Sequence, residues 1–136
     1  RLEAGTHNMP GIAGLLEGVR YVRRRGTQDI CRRERQLALV LAEGLRELNG
    51  VRVFAAPGLR NQAGVVSLVP EDRDVEEIGQ ALAERGVAVR SGIHCAPLAH
   101  RTAGTLDTGT VRISFSDFNT PEEVFRCLKA LRAVFS

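Results

Sequence analysis

From Met9 to Arg25 the apolar residues Ile12, Leu15, Leu16, Val19 and Val22 recur at the spacing of one helix face. Pro10 suits the first turn of that helix, and Gly26 follows its end. A second, longer helix is predicted from about Gln28 to Leu48, with Ile30, Leu37, Leu41, Leu45 and Leu48 as its stripe and Thr27 as its N-cap. Asn49-Gly50 stops it. The period then shortens. Val51-Arg52-Val53-Phe54 alternates as a strand, Ala56-Pro57-Gly58 is a turn signal, and Gly64 to Val69 is a second strand. Asp74 to Arg85 returns to helical spacing, with Val75, Ile78 and Leu82 inward and Gly86 past its end. Val87 to Arg90 reads as a third strand and Thr110 to Phe115 as a fourth. Ser91 to Gly109 is irregular, with room for a short helix after Cys95. Thr120-Pro121-Glu122-Glu123 is a capping box with proline at the first helical position; Val124, Leu128, Leu131 and Phe135 then face inward.

The order α-α-β-β-α-β-β-α predicts an α+β fold. It is expected to be a two-layer sandwich: a small mixed or antiparallel sheet of about four strands, with helices packed on one face. Residues 1–49 would hold the first two helices and residues 50–136 the α/β unit. The second face of the sheet must be covered or wet. With no tryptophan and a single tyrosine in 136 residues, the core must be aliphatic. No stretch approaches the length of a transmembrane helix, and Arg1-Leu2-Glu3-Ala4-Gly5-Thr6 lacks the layout of a signal peptide. The chain has no initiator methionine, which marks it as an expected piece of a longer protein. Cys31, Cys95 and Cys127 are odd in number and form no C-x-x-C pair. A disulfide framework is therefore not expected, and a reducing cytoplasm is.

Charge adds one feature. The net charge is +3, but eighteen of the nineteen basic residues are arginine and Lys129 is the sole lysine. Arg20 to Arg35 is arginine-rich, yet it lacks the interleaved aromatics of a base-stacking surface. A solvated helix face is expected there, not a nucleic-acid site.

The segment Arg90-Ser91-Gly92-Ile93-His94-Cys95-Ala96-Pro97 carries the candidate chemistry. It leaves a strand and turns through Gly92. A helix starting at Pro97 would put the Cys95 thiol near a helix N-terminus and an arginine, the surroundings of a nucleophilic cysteine. A buried structural cysteine beside a surface histidine is the plainer alternative. His94, Cys95, His100 and His7 match no standard zinc spacing, so no metal is expected. In the fourth strand Val111, Ile113 and Phe115 share one face while Arg112 and Ser114 share the other. By the same parity Ala88 and Arg90 oppose Val87 and Val89. If the apolar faces meet the helices, Arg90 and Arg112 point to the opposite side, where two guanidinium groups could bind a carboxylate. Exposed or salt-bridged strand arginines remain the simpler account. Thr6, in Glu3-Ala4-Gly5-Thr6-His7-Asn8, runs into a helix start that could cradle a phosphate or carboxylate, or simply cap the helix. Cys31 and Cys127 fall within helical patterns and read as packing residues.

Arg1-Leu2-Glu3-Ala4-Gly5-Thr6, Arg90-Ser91-Gly92-Ile93-His94-Cys95-Ala96, Val111-Arg112-Ile113-Ser114 and Phe118-Asn119-Thr120 occur in the order seen in class V aminotransferases. Together they most resemble the cysteine desulfurase and selenocysteine lyase branch. The resemblance covers the whole chain and corresponds to the family's linking helices and C-terminal small domain. It implies that Cys95 is the sulfur-accepting nucleophile, that Arg112 binds the substrate carboxylate, and that Arg90 lines the same pocket. It implies that Thr6 reaches the phosphate of pyridoxal phosphate. The implied reaction takes L-cysteine to alanine and a Cys95 persulfide. A homodimer and a sulfur-acceptor protein are the implied partners.

Two positions depart from the family. Some members carry a second histidine where this chain has Ile93. The cofactor's Schiff base needs a lysine, and Lys129 matches no cofactor motif; the family places that lysine in a large domain that this chain lacks. The isolated chain is therefore expected to be inactive. Another class V aminotransferase activity, a selenocysteine lyase, and a non-catalytic interaction or dimerisation fragment stand as alternatives.

Overall fold

The computed structural model describes residues 5–136. Helices α1 (Met9–Arg25) and α2 (Thr27–Arg46) lead into β1 (Val51–Phe54), β2 (Val65–Pro70), α3 (Val75–Ala83), β3 (Arg90–Gly92), α4 (Pro97–Ala103), β4 (Thr110–Ser114) and α5 (Pro121–Phe135). The strands form one sheet in the order β1-β2-β4-β3, antiparallel throughout. The expected α+β architecture is what forms. Asp74 caps α3 by accepting from the Glu76 amide at 2.7 Å. The capping box of α5 is complete: Thr120 Oγ1 accepts from the Glu123 amide, and Glu123 Oε2 accepts from the Thr120 amide.

The core lies between the sheet and α2, α3 and α5. Leu41 and Leu45 from α2, Ile78 and Leu82 from α3, and Val124 and Leu131 from α5 close over Val66, Leu68 and Val111, all with no exposed surface. Each such leucine contributes about 1.5–3 kcal/mol by leaving water. Because Val66, Leu68, Val111 and Ile113 take the inner face, the alternate residues of β2 and β4 must take the outer one.

Two expectations are corrected. Thr27 is not a cap; it is the first residue of α2, and its side chain makes no capping bond. A single residue, Gly26, separates α1 from α2. Its amide closes α1 on the Val22 carbonyl, its carbonyl accepts from Ile30, and its φ of 85° is one that glycine adopts without strain. The third strand is also shorter and later than Val87 to Arg90. Val87 donates its amide to the Leu82 carbonyl at 2.9 Å, so this backbone finishes α3 instead of extending the sheet. A cavity of about 350 Å³ opens where those residues would have met Ile113 to Phe115.

Helix α1 buries none of its residues. Its periodic stripe, Met9, Ile12, Leu15, Leu16, Val19 and Val22, faces outward, with Leu15 69% exposed. The helix is held instead by its C-terminal end. The Tyr21 ring stacks on Phe118 with centroids 5.0 Å apart, and its hydroxyl donates to Asp117 Oδ2 at 2.5 Å. Arg25 forks onto the same carboxylate through Nε and Nη2, at 2.9 and 3.2 Å. Arg33 donates to the Asn119 carbonyl at 2.9 Å. Two arginines of the basic stretch thus clamp the 117–119 loop, a use that a solvated face did not anticipate.

The clamp is pH-sensitive at both ends. The Tyr21 hydroxyl, then Arg25, hold the Asp117 carboxyl below its ordinary value, and the hydrogen bond to Asp117 raises the Tyr21 phenol. The Asp117 contribution to stability is complete above about pH 4 and is lost as pH falls through the depressed value. The Tyr21 contribution is complete below about pH 10 and is lost as pH rises through the raised value. Tyr21 is the only tyrosine and there is no tryptophan, so phenolate absorbance reports on this one group. Its midpoint is expected above the free-tyrosine value and to drop toward it in Asp117→Asn; equal midpoints would contradict the clamp.

Candidate active site around Cys95

Strand pairing sets the site. Arg90 lies directly opposite Arg112, Ser67 opposite Arg112 on the other side, and Phe54 opposite Ser67. Directly paired residues share a face, so both arginines occupy the sheet face away from the core, as strand parity anticipated. Like charges placed opposite each other are unfavourable. Among the described residues neither guanidinium is paired with a carboxylate, and Arg112 Nε is buried without a hydrogen-bond partner. This face is therefore an electropositive surface with unused donor capacity. Such a surface suits an anion.

The chain leaves β3 at Gly92, whose φ is 96°. A methyl group at Gly109 would meet the Gly92 backbone at 2.8 Å, so the loop can rest this closely only against a glycine. Then comes a tight turn. The Ala96 amide donates to the Ile93 carbonyl at 3.0 Å, and the two central residues, His94 and Cys95, have φ values of 55° and 59°. This hydrogen bond with two positive φ angles is the pattern of a type I′ turn, which normally takes Asn-Gly. Left-handed backbone costs a side-chain-bearing residue on the order of 1 kcal/mol. Two strained residues in succession, one of them a thiol, are held by their surroundings. Cys95 is exposed at this turn, two residues ahead of the helix that begins at Pro97.

The surroundings are polar groups on the outer face. His94 Nε2 is 3.1 Å from Thr110 Oγ1, and its ring lies 5.7 Å from that of His100. His100 is 6% exposed and is hydrogen-bonded through Nδ1 to Thr105 Oγ1 at 2.8 Å. Burial first, then the positive charge of Arg112 and the neighbouring His100 and Arg90, hold the His94 imidazole below its ordinary pKa. Its neutral form is the folded form at neutral pH. His94, His100, Thr110 and Arg112 line a cavity of about 270 Å³ with Phe54 and Ser67 of the sheet and the alanines of α4. The short α4 thus covers part of the second sheet face.

The remaining candidates fall elsewhere. Thr6 is exposed ahead of α1, and Asn8, not Thr6, caps that helix by accepting from the Gly11 amide at 3.0 Å. Lys129 is exposed on α5. Cys127 is buried, and burial pushes its thiol up to about 11, as a packing residue requires. Cys31 is not a packing residue: it is exposed, 3.6 Å from Arg35 Nη2, because α2 joins the core only from Leu37 onward. From the sequence alone His100 is only a metal-ligand candidate. Thr105 and Thr110 carried no local signal, because their value lies in contacts across the fold. Among the described residues no three His, Cys, Asp or Glu side chains form a metal-binding group.

The class-V aminotransferase family model matches residues 1–127. A probable cysteine desulfurase of Xylella fastidiosa (strain 9a5c) is 41% identical over 135 residues, covering 98% of this chain and 31% of that protein. The chain therefore spans less than a third of that relative's length. The solved apo structure of a cysteine desulfurase from Thermococcus onnurineus NA1 superposes with a TM-score of 0.89 at 37% identity, over 99% of this chain and 33% of that one. C-DES, a cystine C–S lyase, is similar at 26% identity. With glycine covalently linked to its PLP cofactor it gives a TM-score of 0.77, over 100% of this chain and 32% of that one. In complex with its product cysteine persulfide it gives 0.74, over 96% and 31%.

Thiol exposure makes a direct prediction. Iodoacetamide is expected to label Cys31 and Cys95 in the native chain and Cys127 only after unfolding, as read by peptide mass spectrometry. Native labelling of Cys127 at the rate of Cys95 would contradict the described packing.

Proposed function

The chain belongs to the class-V aminotransferase family, and on that premise we propose that it is the C-terminal small domain of a cysteine desulfurase. Residues 1–49 link it to a larger domain, and residues 50–136 carry the sulfur-accepting loop. The observation that carries this reading is the strained His94–Cys95 turn, which exposes the thiol while its His94 ring shares a cavity with the unneutralised Arg112. Likeness to cysteine desulfurases over nearly the full chain supports it. The exposed apolar stripe of α1 supports the division into domains, since six apolar side chains on one helix face need a cover.

In this reading Arg112 takes the carboxylate of L-cysteine through its planar donors, and Arg90 adds positive charge at the same face. Neutral His94 adds no third charge there. Cys95 Sγ takes the substrate's sulfur: a C–S bond of the substrate breaks, an S–S bond to Cys95 forms, and a proton replaces sulfur on the product. The products are alanine and a persulfide, and no external oxidant is consumed. Exposure of Cys95 leaves that persulfide open to an acceptor protein. The free thiols suit a reducing cytoplasm, and no helix among the described residues is long and apolar enough to cross a membrane.

The electron sink for this chemistry is pyridoxal phosphate. The residues of this chain do not form its site: Lys129 is exposed on α5, away from the strained turn in sequence and element, and the start of α1 is already capped by Asn8. Thr6 is the chain's one proposed contact to the cofactor phosphate, in a homodimer. The cofactor is otherwise held by the rest of the longer protein. A C–S lyase or another class V activity, sharing the carboxylate anchor but not the cysteine nucleophile, is the second reading, favoured by the likeness to C-DES.

Kinetics of the longer protein separate these readings. Cys95→Ala is expected to abolish sulfur release from L-cysteine, whereas full desulfurase activity in that variant would exclude the nucleophile. Arg112→Gln should lower kcat/KM by roughly tenfold to a hundredfold, the loss of a charged hydrogen-bond pair of about 1.5–3 kcal/mol. For the isolated chain, mixing with pyridoxal phosphate and borohydride should yield no specific adduct; stoichiometric reduction onto Lys129 would show that the chain holds the cofactor covalently.

A further inference from the structure

We propose that His100 is a positioning residue: from α4 it fixes the His94 ring, and through that ring the His94–Cys95 turn. The inference rests on the reading of Cys95 as the reactive thiol. The turn has no glycine to make its conformation inexpensive, so its two positive φ angles must be imposed by neighbours. Three of those neighbours come from one short segment, residues 100–110. Thr110, 4% exposed, meets one edge of the His94 ring through its hydroxyl. The His100 ring stands against the same imidazole at 5.7 Å. Gly109 supports the Gly92 backbone from which the turn departs.

His100 is itself fixed. Thr105, 1% exposed, is hydrogen-bonded to His100 Nδ1 at 2.8 Å and returns its amide to the His100 carbonyl, also at 2.8 Å. The Thr105 carbonyl accepts from the Gly109 amide at 2.8 Å. One hydrogen-bonded loop thus connects the buried imidazole of α4 to both supports of the turn. Buried polar side chains cost stability unless they are satisfied, and here the satisfied pair His100–Thr105 sets a fixed ring beside that of His94. His100 is not itself a catalytic residue; it acts through His94.

The test uses a Cys31→Ser background, in which Cys95 is the only exposed thiol, and NMR of a chain with just three histidines. His100→Asn keeps a polar group for Thr105 but removes the ring facing His94; Thr105→Val removes the hydroxyl and keeps the volume. Both are expected to stay folded, to move the His94 titration midpoint up toward the ordinary histidine value, and to weaken the couplings that report positive φ at His94 and Cys95. Cys95 alkylation should change by about fivefold, the conformer shift that one neutral hydrogen bond supports. His100→Asn and Thr105→Val chains that fold with His94 titration and Cys95 alkylation unchanged would overturn the proposal. So would the absence of a ring-to-ring nuclear Overhauser effect between His94 and His100 in the unsubstituted chain, whatever the variants do. None of these readouts is desulfurase activity, so an active Cys95→Ala enzyme would sink the functional reading while leaving the geometry of the turn to be judged separately.

Discussion

Three cross-strand pairs, Arg90 with Arg112, Ser91 with Val111 and Gly92 with Thr110, join the short edge strand to the sheet. The placement of Arg90, Arg112, Thr110 and the Cys95 turn follows from them. Burying Val111 sends Arg112 outward; pairing then brings Arg90 to the same face. Gly92 sets the point at which the chain departs, and so the position of the turn carrying Cys95. A one-residue shift of β4 against β2 would turn Arg112 into the core and Val111 out. The aliphatic core therefore fixes the location of the charges as firmly as it stabilises the fold.

The fold accumulates unfavourable features in one place. Two arginines face each other without a carboxylate between them, two side-chain-bearing residues hold left-handed backbone in succession, and a guanidinium nitrogen and a ring nitrogen are buried without partners. Elsewhere α1, α3 and α5 carry side-chain caps, Arg25 and Arg132 are paired, and the apolar core is closed, although Arg35 Nε on α2 is also buried without a partner. Local strain and missing partners gathered around a thiol are what a site pre-organised for an anionic substrate would display.

Much of this was legible in the sequence because it depends on local chemistry or on period. The capping box at Thr120, the inward faces of α3 and α5 and the shared side of Arg90 and Arg112 all follow from spacing. What was not legible depends on tertiary partners. Val87 gives its amide to the end of α3, which no alternation of apolar residues foretells. Cys31 sits in a helical pattern, but its turn of α2 extends past the core. The stripe of α1 has the periodicity of a buried face and lies exposed, since periodicity records that a face is covered and not which surface covers it. Thr105 and Thr110 became informative only when the fold set them beside histidines.

The proposed role of Cys95 as sulfur acceptor is open to one decisive measurement. Incubating the longer protein with L-cysteine and mapping the modification by peptide mass spectrometry under non-reducing conditions tests this most directly. The expected result is one additional sulfur atom on the peptide containing Cys95, with none on the Cys31 or Cys127 peptides. Turnover of cysteine with sulfur carried on Cys31, or with Cys95 never modified, would contradict it.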